Sequence, residues 1–175
     1  MEKTKILTER LIIRNYEEKD LSDLYEYLSD EEVVRFEPYT AMTLDDVRKN
    51  LEWRISSDEI FALELKENGK MIGNIFLGKR ECGTLELGYV LNRNFWGNGY
   101  AFEACSAMCG NVFSKGIHRL EANCDPNNAA SWKLLERLGF VREGHLRKDI
   151  YFRKDKNGNP IWKDTFIYSK LNDRE

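Results

Sequence analysis

Two groups of residues in this 175-residue chain could do chemistry, and they lie close together. The first is a glycine pair in Trp96-Gly97-Asn98-Gly99-Tyr100-Ala101, set where an apolar run ending at Leu91 gives way to a helical pattern. Glycines let the backbone turn tightly and present successive amides at a helix N-terminus. There the helix dipole and the unpaired N–H groups suit a diphosphate. A P-loop would need a Lys and a Ser/Thr that are absent, and the dinucleotide fingerprint would need glycine where Phe102 stands. The second group centres on Glu86, a carboxylate inside the apolar run Leu85-Glu86-Leu87-Gly88-Tyr89-Val90. Period-two alternation puts it on one face with Gly88 and Val90. A carboxylate in a buried strand is costly without a partner or a role. Glu86 is therefore the candidate general base or water-positioning group, with a structural hydrogen bond or salt bridge as the alternative.

Other chemistries find less support. The cysteines are Cys82, Cys105, Cys109 and Cys124; none forms a CxxC pair, and His118 and His145 stand near no ligand-spaced cysteine. No zinc or other metal site is expected. Small buried thiols in a reducing cytoplasm account for the cysteines. Tyr89, Tyr151 and Tyr168 read as core or groove walls.

These residues need elements to hold them. Leu11–Arg14 reads as a strand, and 18–29 as an amphipathic helix carrying Leu21, Leu24, Tyr25 and Leu28. Thr43 with Asp45 and Asp46 starts a second helix, in which Val47, Leu51, Arg54 and Ile55 recur to about 57. Ile60–Lys66 and Lys70–Leu77 read as a hairpin with a two-residue turn at Asn68-Gly69. Thr84–Leu91 is a strand, Ala101–Phe113 a helix, Leu120–Cys124 a strand and Asn127–Leu138 a helix stopping at Gly139. Phe140–Tyr151 and Ile161–Leu171 close the chain as two strands. The expected fold is α+β: a mixed, mostly antiparallel seven-stranded sheet with flanking helices, in the order βααβββαβαββ. Its one parallel crossover spans 84–124.

The length fits one domain, 1–175, and no apolar run approaches the roughly 20 residues a membrane crossing needs. Nor does Met1–Lys5 lead into a signal-peptide core, so a cytoplasmic protein is expected. A net charge of −3 argues against a dedicated nucleic-acid binder. Residues 17–64 hold 15 acidic and 5 basic residues, whereas 65–175 hold 13 acidic and 18 basic. That split fits a cationic substrate on one side and an anionic cofactor on the other, and it fits ordinary solvated helix faces as well.

Trp96-x-x-Gly99-x-Ala101 resembles the [Q/R]-x-x-G-x-[G/A] motif of the Gcn5-related N-acetyltransferase (GNAT) superfamily in all but its first residue. The tract Asn92–Ala101, then Asp125-Pro126-Asn127-Asn128-Ala129-Ala130-Ser131 and Leu134-Leu135-Glu136-Arg137-Leu138-Gly139-Phe140, is similar to the RimJ/RimL-like branch. That branch acetylates N-termini of ribosomal proteins. The resemblance implies acetyl-CoA wedged between two splayed strands, Thr84–Leu91 and Leu120–Cys124. Amides of Val90 and Leu91 would hold the pantetheine and the thioester carbonyl. Gly97, Asn98, Gly99, Tyr100 and Ala101, headed by Trp96, would take the pyrophosphate, and Asn128 and Ser131 would touch the cofactor.

The Tyr that many relatives use as general acid is replaced by Leu135, which leaves Ser131 as the nearby donor. The acceptor amine would lie across the sheet, walled by the two N-terminal helices and the 147–160 hairpin. Glu31, Glu32, Glu37, Phe36, Tyr39, Trp53 and Tyr151 are the candidate lining. The activity implied is direct acetyl transfer to a protein or peptide α-amine. The alternatives are a small amine such as a polyamine, an antibiotic or an amino acid, and a non-catalytic acyl-CoA-binding domain. No nucleic-acid or membrane partner is expected, and the chain would be a monomer or a homodimer.

Overall fold

The computed structural model describes residues 4–172, so the ends of the expected domain, 1–3 and 173–175, lie outside the described residues. In chain order the elements are β1 (Lys5–Leu7), β2 (Leu11–Arg14), α1 (Leu21–Leu28), α2 (Leu44–Ser56), β3 (Ile60–Leu65) and β4 (Met71–Lys79). There follow β5 (Leu85–Leu91), α3 (Tyr100–Ser114), β6 (Arg119–Cys124), α4 (Ala129–Arg137), β7 (Val141–Ile150) and β8 (Lys163–Leu171). The strands form one sheet in the order β1-β2-β3-β4-β5-β6-β8-β7. Among the described residues, only β5 and β6 pair in parallel.

The sheet therefore has eight strands, one more than the seven expected. The addition is β1, which pairs Lys5, Ile6 and Leu7 with Arg14, Ile13 and Ile12. Three residues with charge around them carry no alternation long enough to mark a strand. The turn between β3 and β4 also differs from expectation. Leu65 N–H donates to Lys70 O at 2.8 Å, so the loop is the four residues 66–69, and of these only Gly69 has a positive φ, +74°. A two-residue type I′ turn would require positive φ at Asn68 as well.

Alternation divides the apolar side chains between two faces. Leu63 and Leu65 of β3 join Ile72, Leu87, Leu91 and the α3 residues Ala104, Cys105 and Met108 in one core. Ile60 and Ala62 turn the other way, onto Leu24, Tyr27 and Leu28 of α1 and Val47 and Leu51 of α2. Each fully buried Leu contributes about 1.5–3 kcal/mol. Helix α2 begins at a capping box, with Thr43 Oγ1 accepting from Asp46 N–H at 3.3 Å and Thr43 N–H donating to Asp46 Oδ2 at 3.2 Å. Its inward residues are Val47, Leu51 and Arg54, so a buried arginine takes a place in the apolar stripe.

What positions the site is the way β5 leaves β6. The two strands pair only at Leu85↔Leu120 and Glu86↔Glu121, while β6 stays paired with β8 through Cys124. From Leu87 onward, β5 is laddered to β4 alone. At the end of that ladder a Cβ on Gly73 would stand 2.3 Å from Val90 O, so only glycine lets β4 pass this closely.

Candidate active site

The opening between β5 and β6 exposes strand backbone. Asn92 N–H donates to Ile72 O at 2.8 Å, and the β4–β5 register runs without a shift from Gly73↔Leu91 to Lys79↔Leu85. In such a ladder alternate residues turn their polar groups to the same side. The Val90 amide therefore faces β4, and the Leu91 amide faces the opening. Trp96 agrees with this assignment, since its Nε1 donates to Leu91 O at 2.8 Å.

The glycine loop follows at once. Gly97 and Gly99 have φ of +75° and +80°, where a side chain would be strained. Gly99 is the N-cap of α3 and has no side chain to offer the first-turn amides. No heavy atom lies within 4 Å of where a Gly97 Cβ would stand. The loop is thus a bare backbone cradle, which fits the diphosphate of an acyl-CoA. Arg10, in the turn between β1 and β2, fixes its shape: Nη1 donates to Asn98 O at 2.9 Å and Nε to Glu103 Oε2 at 2.7 Å. The guanidinium also lies 4.3 Å from the centre of the Tyr100 ring.

On the far side of the opening, Asn128 caps α4, its Oδ1 accepting from Ser131 N–H at 3.3 Å. Tyr89 reaches across from β5, placing its hydroxyl 3.0 Å from Ser131 Oγ and 3.1 Å from Ser131 O. Burial raises the Tyr89 pKa despite the Ser131 hydrogen bond, so the phenol keeps its proton. Burial likewise pushes the Cys124 thiol up to about 11, which leaves it a poor nucleophile. Glu86 lies at the closed foot of the opening. Its carboxylate is ion-paired with Arg80 and accepts from Asn123 Nδ2 at 3.0 Å.

The other face of the sheet carries the expected acceptor residues, and the structure divides them. Tyr39 and Trp53 line an open depression of 470 Å³ with Met42, Asp46, Lys49 and Asn50. Phe36 meets the end of the hairpin, with Lys163 Nζ 5.4 Å from its ring centre. Glu31 and Tyr151 are not part of the depression. Tyr151 packs edge-on against Trp162, 5.3 Å between centres, and the Glu31 and Glu32 side chains are exposed.

Beneath this face lies a polar network that sequence reasoning missed. Arg54 Nη1 donates to Tyr16 Oη at 2.8 Å and to Asn74 Oδ1 at 3.1 Å, and Nε donates to Asn50 Oδ1 at 2.5 Å. Tyr27 Oη donates to the same Asn74 oxygen at 2.8 Å. Burial opposes the Arg54 charge, but the phenol oxygens of Tyr16, Tyr27 and Tyr39 outweigh it and raise the pKa. The signal was present in the spacing of Val47, Leu51 and Arg54, where a charged residue continues an apolar stripe. The Arg10–Glu103 clamp had no such signal, because its partners lie 93 residues apart.

Known proteins resemble this chain in sequence and fold. A family model described as an acetyltransferase (GNAT) domain matches residues 10–141. The chain is 34% identical over 175 residues to the uncharacterized N-acetyltransferase YnaD of Bacillus subtilis (strain 168), covering 95% of this chain and 96% of that protein. It is 30% identical over 159 residues to the ribosomal protein uS5-alanine N-acetyltransferase of Escherichia coli (strain K12), covering 83% and 82%. The crystal structure of a GNAT-family acetyltransferase from Bacillus anthracis superposes with a TM-score of 0.89 at 32% identity, covering 98% of this chain and 100% of that one. Similarity across nearly the whole chain leads to one conclusion: this chain belongs to the GNAT acetyltransferase family and is an N-acetyltransferase that acts on amines.

Proposed function

We propose that the chain acetylates the α-amine of a protein or peptide N-terminus by direct transfer. Enzymes of this family take the acetyl group from acetyl-CoA, whose thioester supplies an activated acyl carbon. The observation that carries the reading is the β5–β6 opening, with the Leu91 amide on its wall and the bare Gly97–Gly99 loop at its mouth. In this reading the Leu91 N–H faces the thioester carbonyl, where a pre-placed donor is worth most as charge develops on the oxygen. The amides of residues 97–101 hold the pyrophosphate, and Arg10 keeps them in place. Val90 contributes its side chain to the acceptor face, since its amide is committed to β4. The Tyr89–Ser131 hydroxyl pair lies where a departing thiolate needs a proton. Glu86, held by Arg80 and Asn123, positions water at the foot of the opening.

The open form of the depression beside Tyr39 and Trp53 favours an extended peptide end over an engulfed small molecule. The uS5-alanine acetyltransferase among its relatives acts on such an end. A thiol-release assay over a panel of peptide N-termini, polyamines, aminoglycosides and amino acids tests the reading. Turnover is expected with peptides, and turnover confined to polyamines would sink it.

A further inference from the structure

A cation already occupies the acceptor side of the opening, and it is the protein's own. Lys163 Nζ donates to Asp125 Oδ2 at 2.8 Å and stands 5.4 Å from the ring centre of Phe36 and 5.8 Å from that of Phe152. One carboxylate and two phenyl rings thus surround one primary ammonium, each ring within the roughly 6 Å at which it attracts a cation. The three come from separate parts of the chain: Asp125 follows β6, Phe36 lies between α1 and α2, and Phe152 lies between β7 and β8. The Asp125 side chain is 8% exposed. Its Oδ1 accepts from the Asn127 backbone and from Asn127 Nδ2, both at 2.9 Å, so the carboxylate is aimed independently of Lys163. Burial opposes its charge, but the hydrogen bonds from Lys163 and Asn127 outweigh it and hold the carboxyl below its ordinary range.

The cluster lies at the opening. Leu85↔Leu120 and Glu86↔Glu121 are the pairs from which β5 and β6 part, and four residues further along stand Val90 and Asp125. The count puts Asp125 across the opening from Val90, next in line to the Leu91 amide. Leu120, Ala122 and Cys124 turn into the core under α3 and α4, so alternation turns Asn123 and Asp125 to the acceptor side. The meeting of Lys163 with Phe36 agrees, since the α1–α2 connection packs on that side. Asp125 is also tied to the opposite wall: its carbonyl accepts from Asn128 N–H at 2.9 Å, and Asn128 caps the helix that carries Ser131.

The geometry points to Asp125, Phe36 and Phe152 as the subsite for the acceptor's primary ammonium, with the Lys163 side chain filling it until an acceptor takes its place. This subsite presupposes the proposed function and names where its charged amine is received. The exchange replaces one ammonium–carboxylate pair by another, so no further counter-charge is needed. Acetylation removes the positive charge, whereupon the product loses its hold on Asp125 and Lys163 returns. A site filled from within binds its ligand more weakly, in proportion to the fraction of time it stands empty. Lys163 thereby sets the apparent affinity for the acceptor.

The test is calorimetric titration of the coenzyme A complex with an alanine-initiated peptide and with its N-acetylated form. The proteins are the wild type, Lys163→Met, Lys163→Arg and Asp125→Asn, with coenzyme A binding and the melting temperature reporting folding. Lys163→Met should bind the free-amine peptide about fivefold more tightly or better, with KM lowered to match. Lys163→Arg, which keeps a cation in the subsite, should stay nearer the wild type. Asp125→Asn, which retains an oxygen for Asn127, should weaken peptide binding by about tenfold or more. The N-acetylated peptide carries no ammonium, so its binding should change little in any variant. Lys163→Met should also melt lower, because a mostly buried carboxylate loses its partner, and the free-amine peptide should restore more of that loss than the acetylated one. Weaker or unchanged binding of the free-amine peptide by Lys163→Met, as a purely structural ion pair would give, overturns the subsite and leaves the proposed function standing. So does binding by Asp125→Asn within about twofold of wild type. Turnover confined to polyamines would instead remove that function, and the same variants titrated with spermidine would then decide the subsite.

Discussion

The Tyr89 hydroxyl bridges the opening to Ser131, and the two oxygens, 3.0 Å apart, act as a unit. Because burial raises the Tyr89 pKa, its proton stays in place through the neutral and mildly alkaline range. Ser131→Ala and Tyr89→Phe should each lower kcat by about 10–10²-fold, with little change in KM for acetyl-CoA. The double variant should be barely worse than either single one, as expected for groups sharing one hydrogen-bonded path. Strictly multiplicative losses would show that the hydroxyls act separately. Tyr89→Phe removes the hydroxyl's contacts with Ser131 O and Oγ, at a stability cost of about 1–2 kcal/mol. Arg54 is a different case at this scale. It is 3% exposed and ties Tyr16, Asn50 and Asn74 together, so its loss would strand several polar groups at once.

Among the elements, the glycine loop depends on a turn at the other end of the chain. Arg10 holds the Asn98 carbonyl, and Glu103 accepts from both the Arg10 backbone and its side chain. Arg10→Ala should therefore loosen the first turn of α3 and raise KM for acetyl-CoA several-fold, with kcat held within about twofold. Its ion pair with Glu103 is partly exposed, so the loss of stability should stay near 1 kcal/mol. A collapse of kcat with unchanged KM would contradict the clamp. Local elements were legible in the sequence because their signals are local. The Thr43 cap, the apolar run of β5 and the glycines before α3 each carry their own pattern. Strand β1 was missed because its three residues are defined only by the partner they pair with. The β3–β4 turn was misread because Asn68-Gly69 has the composition of a two-residue turn, while the Leu65–Lys70 pair closes a four-residue loop. Arg10, and the contacts of Arg54 with Tyr16 and Asn74, depend on partners brought in by the fold, which no window of sequence contains.

On the scale of the whole molecule, the acidic stretch 17–64 supplies α1 and α2, which cover one face of the sheet, and α3 and α4 cover the other. The acidic stretch therefore lies on the face that is proposed to receive the acceptor, opposite the face of α3 and α4. Only two residue pairs ladder β5 to β6, whereas β4–β5 and β6–β8 are paired over seven and six. The sheet is therefore two well-knit antiparallel panels meeting at a short seam, and the seam is where acetyl-CoA is proposed to lie. Coenzyme A then acts as missing sheet, supplying partners to backbone that no neighbouring strand reaches. Hydrogen exchange should show it: added coenzyme A should protect Leu91 and residues 97–101 selectively, and leave β1–β3 as they were. Saturation at a hundred times Kd should add about 2.7 kcal/mol of stability. Protection spread evenly over both panels would mean that the seam is already closed without its ligand. In mechanical terms the strands are parted where the enzyme needs its substrate to be load-carrying, so that binding the acetyl donor and completing the sheet are one event.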